Sequence, residues 1–445
     1  MNNFILIISC VVAFLTLILT LPDGGIAVLL TVVCAVAIIL FIRRTYSESG
    51  ESKFLVNIFM MALVVRIVFG VMLYFFELQE FFGLDSLTYD FLGNRLMEVW
   101  TGQNTSNDWI SQFAISTGGP GWGMKYLVAG IYTVIGRNML AAQFFCAVVG
   151  AATAPLIYIC SYKIYQNHQV CKISAILVAF FPAFIIWSAQ LMKDGLIIFL
   201  LVLVITMVFK LQEKFNYASV TILIFSMFGI IALRFYIFYM VAIAVVGSFV
   251  IGTSSSAKSI IRGIVALVVV GLALTYLGVL RNASTEFEKY GNLERIQLSR
   301  GNLSEAKSGF GESLDVSTTE GAIAALPIGM MYLMLAPFPW QMSNFRQVIT
   351  LPEILVWWAS IPFLFSGLWF TIKNRLRNAV SILIFTLLLT LAYSLFQGNV
   401  GTAYRQRAQI QVFLFIFIAV GWTLRKESRE NRKMIKIENR RRMMR

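Results

Sequence analysis

The chain of 445 residues is 58% hydrophobic and only 13% charged, which excludes an ordinary water-soluble domain and predicts an all-α polytopic membrane protein. Its formal net charge of +14 collects in short loops and in the tail, so it indicates topology signals and no nucleic-acid partner. Five cysteines without CxxC spacing and a single histidine, His168, imply neither a disulfide framework nor a His-rich metal cluster.

Apolar runs of membrane-spanning length predict about twelve transmembrane helices. In chain order they lie near 3–21, 26–42, 54–76, 139–161, 173–190, 195–211, 217–233, 236–252, 261–280, 353–372, 379–397 and 410–424. The first run has no basic region before it and no small-residue cleavage site, so we expect a retained helix there and not a signal peptide.

The basic loops alternate with the predicted helices, and this pattern sets an orientation. Lys and Arg concentrate on one side together with the basic tail, which predicts that both termini are cytoplasmic. We expect an integral, multi-pass protein of a bacterial inner or plasma membrane. Its predicted parts are two extra amino-terminal helices (1–53), a core with a first outer loop at 77–138 (54–252), a carboxy-terminal half with an outer loop at 281–352 (253–424), and a cytoplasmic tail (425–445).

Two further apolar segments lie within the predicted outer loops. The segments 122–136 and 321–340 cannot be full crossings without breaking the charge pattern, so we expect interfacial or re-entrant helices. The second ends in "APFPW" (336–340), which predicts a stiff corner at the membrane surface or, alternatively, a wall for an isoprenoid tail or a sugar ring.

Six cations lie at the predicted outer ends of helices, against the orientation rule: Lys125, Lys193, Arg234, Arg346, Arg405 and Arg407. Each alone could reach lipid headgroups. Arg405 and Arg407 are two residues apart in a predicted short turn (397–409), and arginine binds phosphate oxygens through two donors at once. Together the six therefore predict a phosphate-binding set.

Two acids lie on the same predicted face. Asp85 follows a span by a few residues and is either an acid that faces water or a general base for a hydroxyl acceptor. Asp194 follows Lys193 at the start of a span, where an acid also stabilises a helix amino terminus.

The order of these features resembles the amino-terminal half of GT-C membrane glycosyltransferases that use polyprenyl-phosphate sugars, such as protein mannosyltransferases and aminoarabinose transferases. The residues that carry the resemblance are Asp85 with Tyr89, Gly119-Pro120, Pro182, Trp187-Ser188, Asp194, and the pair Arg405 and Arg407 before the last span. The resemblance covers residues 54–211 best.

The resemblance implies a GT-C-like fold and transfer of a sugar to a glycan, lipid or protein acceptor at the outer face, among membrane lipids. Asp85 would be the base, next to Tyr89. The other cations and Asp194 would bind the substrate, with Arg405 and Arg407 at the donor phosphate. Ser86 stands where the family often has a second acid, which leaves a divalent metal possible but unsupported and the cofactor unknown.

Two other functions stay open. An O-antigen or exopolysaccharide polymerase or ligase would also act on lipid-linked glycans, and the arginines of the loop 281–352 favour it: Arg281, Arg295, Arg300 and Arg346. A transporter or flippase of lipid-linked sugars is less favoured, because the sequence has no internal repeat and no paired interrupted helices.

Overall fold

Most of the described residues are in helices. The computed structural model describes residues 18, 21–46, 50–103, 108–117, 121–251, 257–276, 292–305, 308–311, 314–342 and 344–443. Within these residues the one departure from helices, turns and loops is an isolated β-bridge between Gly309 and Asn399. The all-α prediction is therefore confirmed for this part of the chain.

The described helices, in chain order, are α1 (Gly24–Thr45), α2 (Ser52–Phe75), α3 (Gln79–Phe82), α4 (Asp85–Trp100), α5 (Trp109–Ile115), α6 (Trp122–Ile135), α7 (Met139–Tyr165), α8 (His168–Phe180), α9 (Pro182–Ser188), α10 (Lys193–Glu213), α11 (Tyr217–Leu233), α12 (Phe235–Ile251), α13 (Ala257–Tyr276), α14 (Leu293–Ser304), α15 (Thr319–Leu335), α16 (Phe345–Ile349), α17 (Leu351–Phe396) and α18 (Val400–Met443). A short 3₁₀ turn at Pro339–Gln341 follows α15.

Six of the described helices are long and apolar enough to cross a bilayer: α1, α2, α7, α10, α17 and α18. The helices α8 and α9 form a seventh candidate, bent by 53° at Phe181. The bend lies just before Pro182, which has no backbone N–H to continue the helix. The chain is thus a multi-pass membrane protein. The number of twelve spans remains a prediction, and nearly all of its first segment (3–21) lies outside the described residues.

The helix α17 is too long for one crossing. Its 46 residues would extend about 70 Å, roughly twice the thickness of a bilayer core. The backbone leaves helical geometry at Arg375, between the two spans predicted for this region. Both halves pack against α18, through Trp357 on Phe415 and Phe385 on Phe413, with ring centroids 6.1 and 5.5 Å apart. The first half of α17, the second half of α17 and the helix α18 therefore pack together as a bundle of three helical segments.

Two glycines allow the first half of α17 to approach α18 closely. A Cβ on Gly367 would lie 1.8 Å from the carbonyl oxygen of Phe417, and one on Gly421 would lie 2.0 Å from that of Phe363. No side chain fits at either position, so the two backbones are in contact there. Such small-residue contacts are the usual way for helices to pack in a membrane, where apolar side chains gain little by leaving lipid.

Neutral hydrogen bonds join the helices at one end of the bundle, near the carboxy terminus of α10. Tyr165 of α7 and Thr371 of α17 are 2.6 Å apart through their hydroxyl oxygens. Gln212 of α10 donates to the hydroxyl of Ser248 of α12 at 2.7 Å. The helix α10 is about 31 Å long, so its first residues lie at the opposite end of the bundle, which contains the candidate site.

A buried arginine in α2 stabilises the break between α8 and α9. The Arg66 side chain is 1% exposed and donates to the carbonyls of Val178 and Ala179 at 3.3 and 2.9 Å, and to the hydroxyl of Ser188 at 2.8 Å. The two carbonyls belong to the last turn of α8, where acceptors lack helical partners and a cation is favoured. Arg66 therefore serves as a cap that crosses from one helix to another.

We expect Arg66→Met to lower the free energy of unfolding by about 3 kcal/mol, because the carbonyls and Ser188 then lack a donor in a buried place. Thermal unfolding of the detergent-solubilised protein measures the change. Arg44→Met, at an exposed arginine of α1, is the matched control. Equal stability of the two variants would contradict the capping role.

Candidate functional site

Four helix ends meet at the end of the bundle opposite the neutral hydrogen bonds. Asp85 begins α4, and Tyr89 lies one turn later on the same face. Asp194 lies in the first turn of α10, where the amino-terminal end of the helix dipole favours an acid. Arg234 directly follows the last residue of α11, and Arg405 lies in the second turn of α18. These ends bring together residues that are far apart in the sequence.

The ion pair between Arg405 and Asp194 is at the centre of the site. The Asp194 side chain is fully buried, and its Oδ2 lies 2.6 Å from both Nε and Nη2 of Arg405. Arg234 approaches Oδ1 at 3.5 Å, and Gln409 donates to the same oxygen at 3.5 Å. The indole of Trp187 lies under the guanidinium of Arg405, with 5.6 Å to the ring centroid. Arg405 is therefore fixed on one side.

The other side of Arg405 faces Asp85. Its Nη1 lies 2.8 Å from Oδ2 of Asp85, whose side chain is 44% exposed. The two carboxylates on Arg405 thus differ in their surroundings, because one is sealed in the protein and the other borders the open side. A water-accessible carboxylate can exchange partners, whereas a buried one cannot do so without a large desolvation cost.

Lys193 and Tyr89 form the remaining edge of the cluster. The Lys193 ammonium lies 5.9 Å from the centroid of the Tyr89 ring, a cation–π distance. Gly121 lies against both groups with a φ of +77°, and a Cβ there would be 2.6 Å from Nζ of Lys193. The glycine therefore leaves the ammonium room. Burial and the nearby Asp85 raise the pKa of Tyr89, so its phenol stays protonated and can donate at neutral pH.

The charges of the cluster do not cancel. Lys193, Arg234 and Arg405 are three cations, and Asp85 and Asp194 are two carboxylates. One net positive charge is left in a largely buried place, which favours binding of one monoanion. A phosphodiester carries one negative charge at neutral pH and meets this requirement.

The sequence prediction for Arg405 and Arg407 needs a correction. The segment predicted as a short turn is the beginning of α18, and two residues in a helix are about 200° apart around its axis. The guanidinium of Arg407 accordingly points away from the cluster. It is fully buried, donates to the carbonyls of Met334 and Ala336 at 3.1 and 2.7 Å, and lies over the ring of Tyr404. Arg407 therefore joins α18 to the carboxy-terminal end of α15.

Two other predicted cations are separate from the cluster. Arg346 of α16 donates to the carbonyl of Glu80 at 3.1 Å and lies over the ring of Phe81, yet it lines the same cavity as Arg405. Lys125 of α6 is buried, and its ammonium contacts the carbonyl and the ring of Phe113. The structure therefore brings Arg346 near the site and leaves Lys125 outside it. Of the resemblance motif, Gly119 and Pro120 lie outside the described residues.

A cavity of about 290 Å³ opens beside Arg405, and we call it the cationic cavity. Arg405 and Arg346 contribute its two charges, and amide and hydroxyl side chains lie among apolar ones that cover the larger part of its wall. The polar residues that line it are Ser308, Asn344, Gln347, Thr350, Asn399, Thr402 and Tyr404. Its composition suits a phosphate with attached hydroxyl groups.

A second cavity of about 490 Å³, the apolar groove, lies next to the first. The two share Ile186, Ile349, Thr350 and Tyr404. The rest of the groove is lined almost entirely by apolar side chains of α2, α9 and the start of α17: Val64, Val65, Val68, Phe69, Met72, Pro182, Ile185 and Pro352, with Glu353 as the exception. A cavity with two arginines in its wall thus lies directly beside an apolar one.

Glu353 is the residue of this region that the sequence reading missed. It is 4% exposed in the first turn of α17, and the Tyr404 hydroxyl donates to its Oε2 at 2.6 Å. A single acid two residues after the start of an otherwise apolar run, with Pro352 before it, was the available signal. Nothing in the sequence links it to Tyr404.

Within the described residues no three His, Cys, Asp or Glu side chains converge as a metal-ligand group, and both carboxylates of the cluster are bound to Arg405. Comparison with known proteins gives no assignment: no family model and no curated protein matches the chain. The geometry alone therefore has to support a function.

We expect Asp194→Asn to lower the free energy of unfolding by about 3–5 kcal/mol, since it leaves Arg405 and Arg234 buried without their carboxylate. Asp85→Asn, which removes a carboxylate from the same guanidinium at an exposed position, should cost about 1 kcal/mol or less. Thermal unfolding compares the two variants. Equal losses would show that the buried pair is not the structural member of the cluster.

Proposed function

We propose that the protein is a membrane glycosyltransferase that moves a sugar from a polyprenyl-phosphate donor to a hydroxyl group of an acceptor, with Asp85 as general base. The observation that carries the proposal is that the cationic cavity and the apolar groove lie side by side and share four lining residues. A ligand that fills both must have an anionic group joined directly to a long apolar chain. A polyprenyl phosphate has this chemistry.

The charges around Arg405 fit the demands of the reaction. When the acceptor oxygen attacks the anomeric carbon, the bond from that carbon to the phosphate oxygen breaks, and its electrons leave with the polyprenyl phosphate. The leaving group gains one negative charge, which the net positive cluster stabilises. Asp85 takes the acceptor proton, so charge and atoms balance, and attack opposite the phosphate inverts the anomeric centre.

The ion pair between Asp85 and Arg405 implies that the donor binds before the base becomes available. Without a donor, Nη1 of Arg405 is 2.8 Å from Asp85. A donor phosphate bound in the cationic cavity competes for that nitrogen, while the buried Asp194 keeps the other nitrogens in place. Asp85 is then released toward the acceptor. The base becomes available when the donor is bound, which limits wasteful hydrolysis.

We further propose the complete membrane arrangement of about twelve GT-C-like spans, with both termini cytoplasmic and the cluster at the outer face. Three facts support it. The kink at Arg375 allows α17 to cross twice. The 17-residue apolar helices α11 and α12 reverse direction at Arg234, at the same end as Asp194. The exposed carboxy-terminal part of α18 is rich in Lys and Arg, as expected inside the cell.

Asp85→Asn tests the proposed chemistry. In vesicles that contain polyprenyl-phosphate hexoses and pentoses labelled in the sugar, we expect release of polyprenyl phosphate to fall about 1,000-fold, the usual contribution of a general base. Asp315→Asn, at an exposed acid of the second outer loop, is the control and should be as active as the wild type.

Full release by the Asp85→Asn variant would refute the role of the base and favour a polymerase or ligase. Passage of the labelled lipid across the vesicle membrane, with no glycosyl transfer by the wild type, would favour a flippase.

The groove gives a second test. We expect Val68→Trp, which fills the apolar groove, to raise KM about tenfold for a donor with a long polyprenyl chain and to leave KM unchanged for a short-chain donor. Val33→Trp is the matched control, because both valines are 58% exposed and Val33 lies in α1, away from the groove. An equal rise for both donors would place the lipid elsewhere.

A further inference from the structure

A third cavity, of about 370 Å³, lies next to the cationic cavity, on the side away from the apolar groove, and we call it the loop cavity. It is lined by Ser308, Gly309, Phe310, Tyr332, Pro337, Phe338, Gln341, Gln347 and Val400. Four of these residues, Ser308, Pro337, Gln347 and Val400, also line the cationic cavity. The three cavities therefore follow one another in the order apolar groove, cationic cavity, loop cavity.

The wall of the loop cavity is built from distant segments that are joined by specific contacts. The backbone of Phe310 donates to the carbonyl of Gly398 at 2.7 Å, and that of Val400 donates to the carbonyl of Ser308 at 2.9 Å. These bonds form the isolated β-bridge that ties the second outer loop to the start of α18. The wall is thus attached to the helix that carries Arg405.

A buried arginine and an aromatic stack stiffen this wall. The guanidinium of Arg300, 1% exposed, lies 5.6 Å from the ring centroid of Phe310 and donates to the carbonyl of Leu395 at 3.1 Å. On the ring of Phe310 the ring of Tyr332 is stacked in parallel, with centroids 4.1 Å apart. Phe338 meets Tyr332 edge to face at 5.4 Å. The aromatic residues are therefore held in place before any ligand binds, which lowers the entropy cost of binding.

The lining combines aromatic rings with amide and hydroxyl groups and contains no ionised side chain. Gln341 and Gln347 each present a donor and an acceptor, and the hydroxyls of Ser308 and Tyr332 can do both. A hydroxyl group of a ligand also donates and accepts, so such walls match a neutral molecule with many hydroxyl groups and apolar C–H faces. A phosphate or a charged peptide would find no counter-ion in this lining.

From this chemistry and order we infer that the loop cavity is a carbohydrate-binding subsite for a neutral sugar ring. The order of the cavities then follows the order of groups in the substrate: chain, phosphate, sugar. The sugar could belong to the donor or to a carbohydrate acceptor, since both present the same chemistry. The inference rests on the proposed function for this alignment, but binding of a free sugar needs no catalysis.

Saturation-transfer NMR of the detergent-solubilised protein tests the inference. The probes are the methyl glycosides of glucose, galactose, mannose, rhamnose and N-acetylglucosamine. We expect binding of at least one of them, weakened about five- to tenfold by Gln341→Ala, the usual effect of one lost hydrogen bond. Gln341 is exposed at the cavity rim, so its loss should not impair folding. Gln169→Ala, at the opposite end of the bundle, is the control.

A second variant guards against an indirect effect. Tyr332→Phe keeps the aromatic stack and removes the hydroxyl that donates to Gln341 at 3.2 Å, and it should weaken the same sugar. Binding of none of the five glycosides, or binding unchanged in both variants, would overturn the inference.

Two further experiments are needed. The first shows whether the bound sugar belongs to the donor or to an acceptor, and the second tests sugar binding separately from glycosyl transfer. Excess polyprenyl-phosphate conjugate of the bound sugar displaces it if the cavity takes the donor sugar, and leaves it bound if the cavity takes an acceptor. Asp85→Asn should lower glycosyl transfer about 1,000-fold while methyl glycoside binding persists. Sugar binding without any transfer by the wild type would retain the subsite and reject the transferase, whereas transfer without sugar binding would do the reverse.

Discussion

The structure of the site depends on one buried interaction, the ion pair of Asp194 with Arg405. Removing two charges from water costs several kcal/mol each unless they meet in good geometry, and here one carboxylate oxygen faces two guanidinium nitrogens at 2.6 Å. The pair therefore sets the position of the start of α10 against the start of α18. Arg234 then joins α11 to the same point, and Asp85 places α4 at the edge. The cationic cavity lies beside Arg405, and the apolar groove adjoins that cavity.

The two acids that contact Arg405 have different roles, because Asp194 is buried and Asp85 is partly exposed. Asp194 has no contact with solvent and lies against both Arg405 and Arg234, so it stays paired and orients the guanidinium of Arg405. Asp85 has nearly half its side chain exposed, so it can be replaced by an incoming anion at small cost. Two carboxylates with different environments are a common basis for different tasks in one site. In the proposed reaction, the same arginine would thus bind the donor phosphate without losing its position.

The sequence predicted much of this, and its failures have physical causes. Apolar runs near 54–76 and 195–211 became α2 and α10, since membrane length and hydropathy determine such helices almost alone. The placement of Asp85, Asp194, Arg234 and Arg405 at one end followed from the charge pattern. The turn around Arg407 was wrong, because α18 starts at Val400, and helical geometry then turns the two arginines apart. Arg66 and Glu353 were missed because their partners are set by packing between distant segments, which no local pattern records.

The contrast between the two ends of the bundle explains why the cluster points to a ligand. At the end near Tyr165 and Thr371, hydroxyl and amide groups join the helices. The ion pairs at that end, Lys163–Glu213 and Lys172–Glu51, are partly exposed, and each matches one cation with one carboxylate. Packing alone could be satisfied in the same way at the other end. There, three cations meet two carboxylates, although ionised groups within a membrane protein are expensive and an uneven number leaves one charge uncompensated. A stabilising role accounts for Asp194 and its pair, but not for the surplus cation or for the exposed Asp85. The polyprenyl-phosphate donor that we propose would account for both, with its phosphate in the cationic cavity and its chain in the apolar groove.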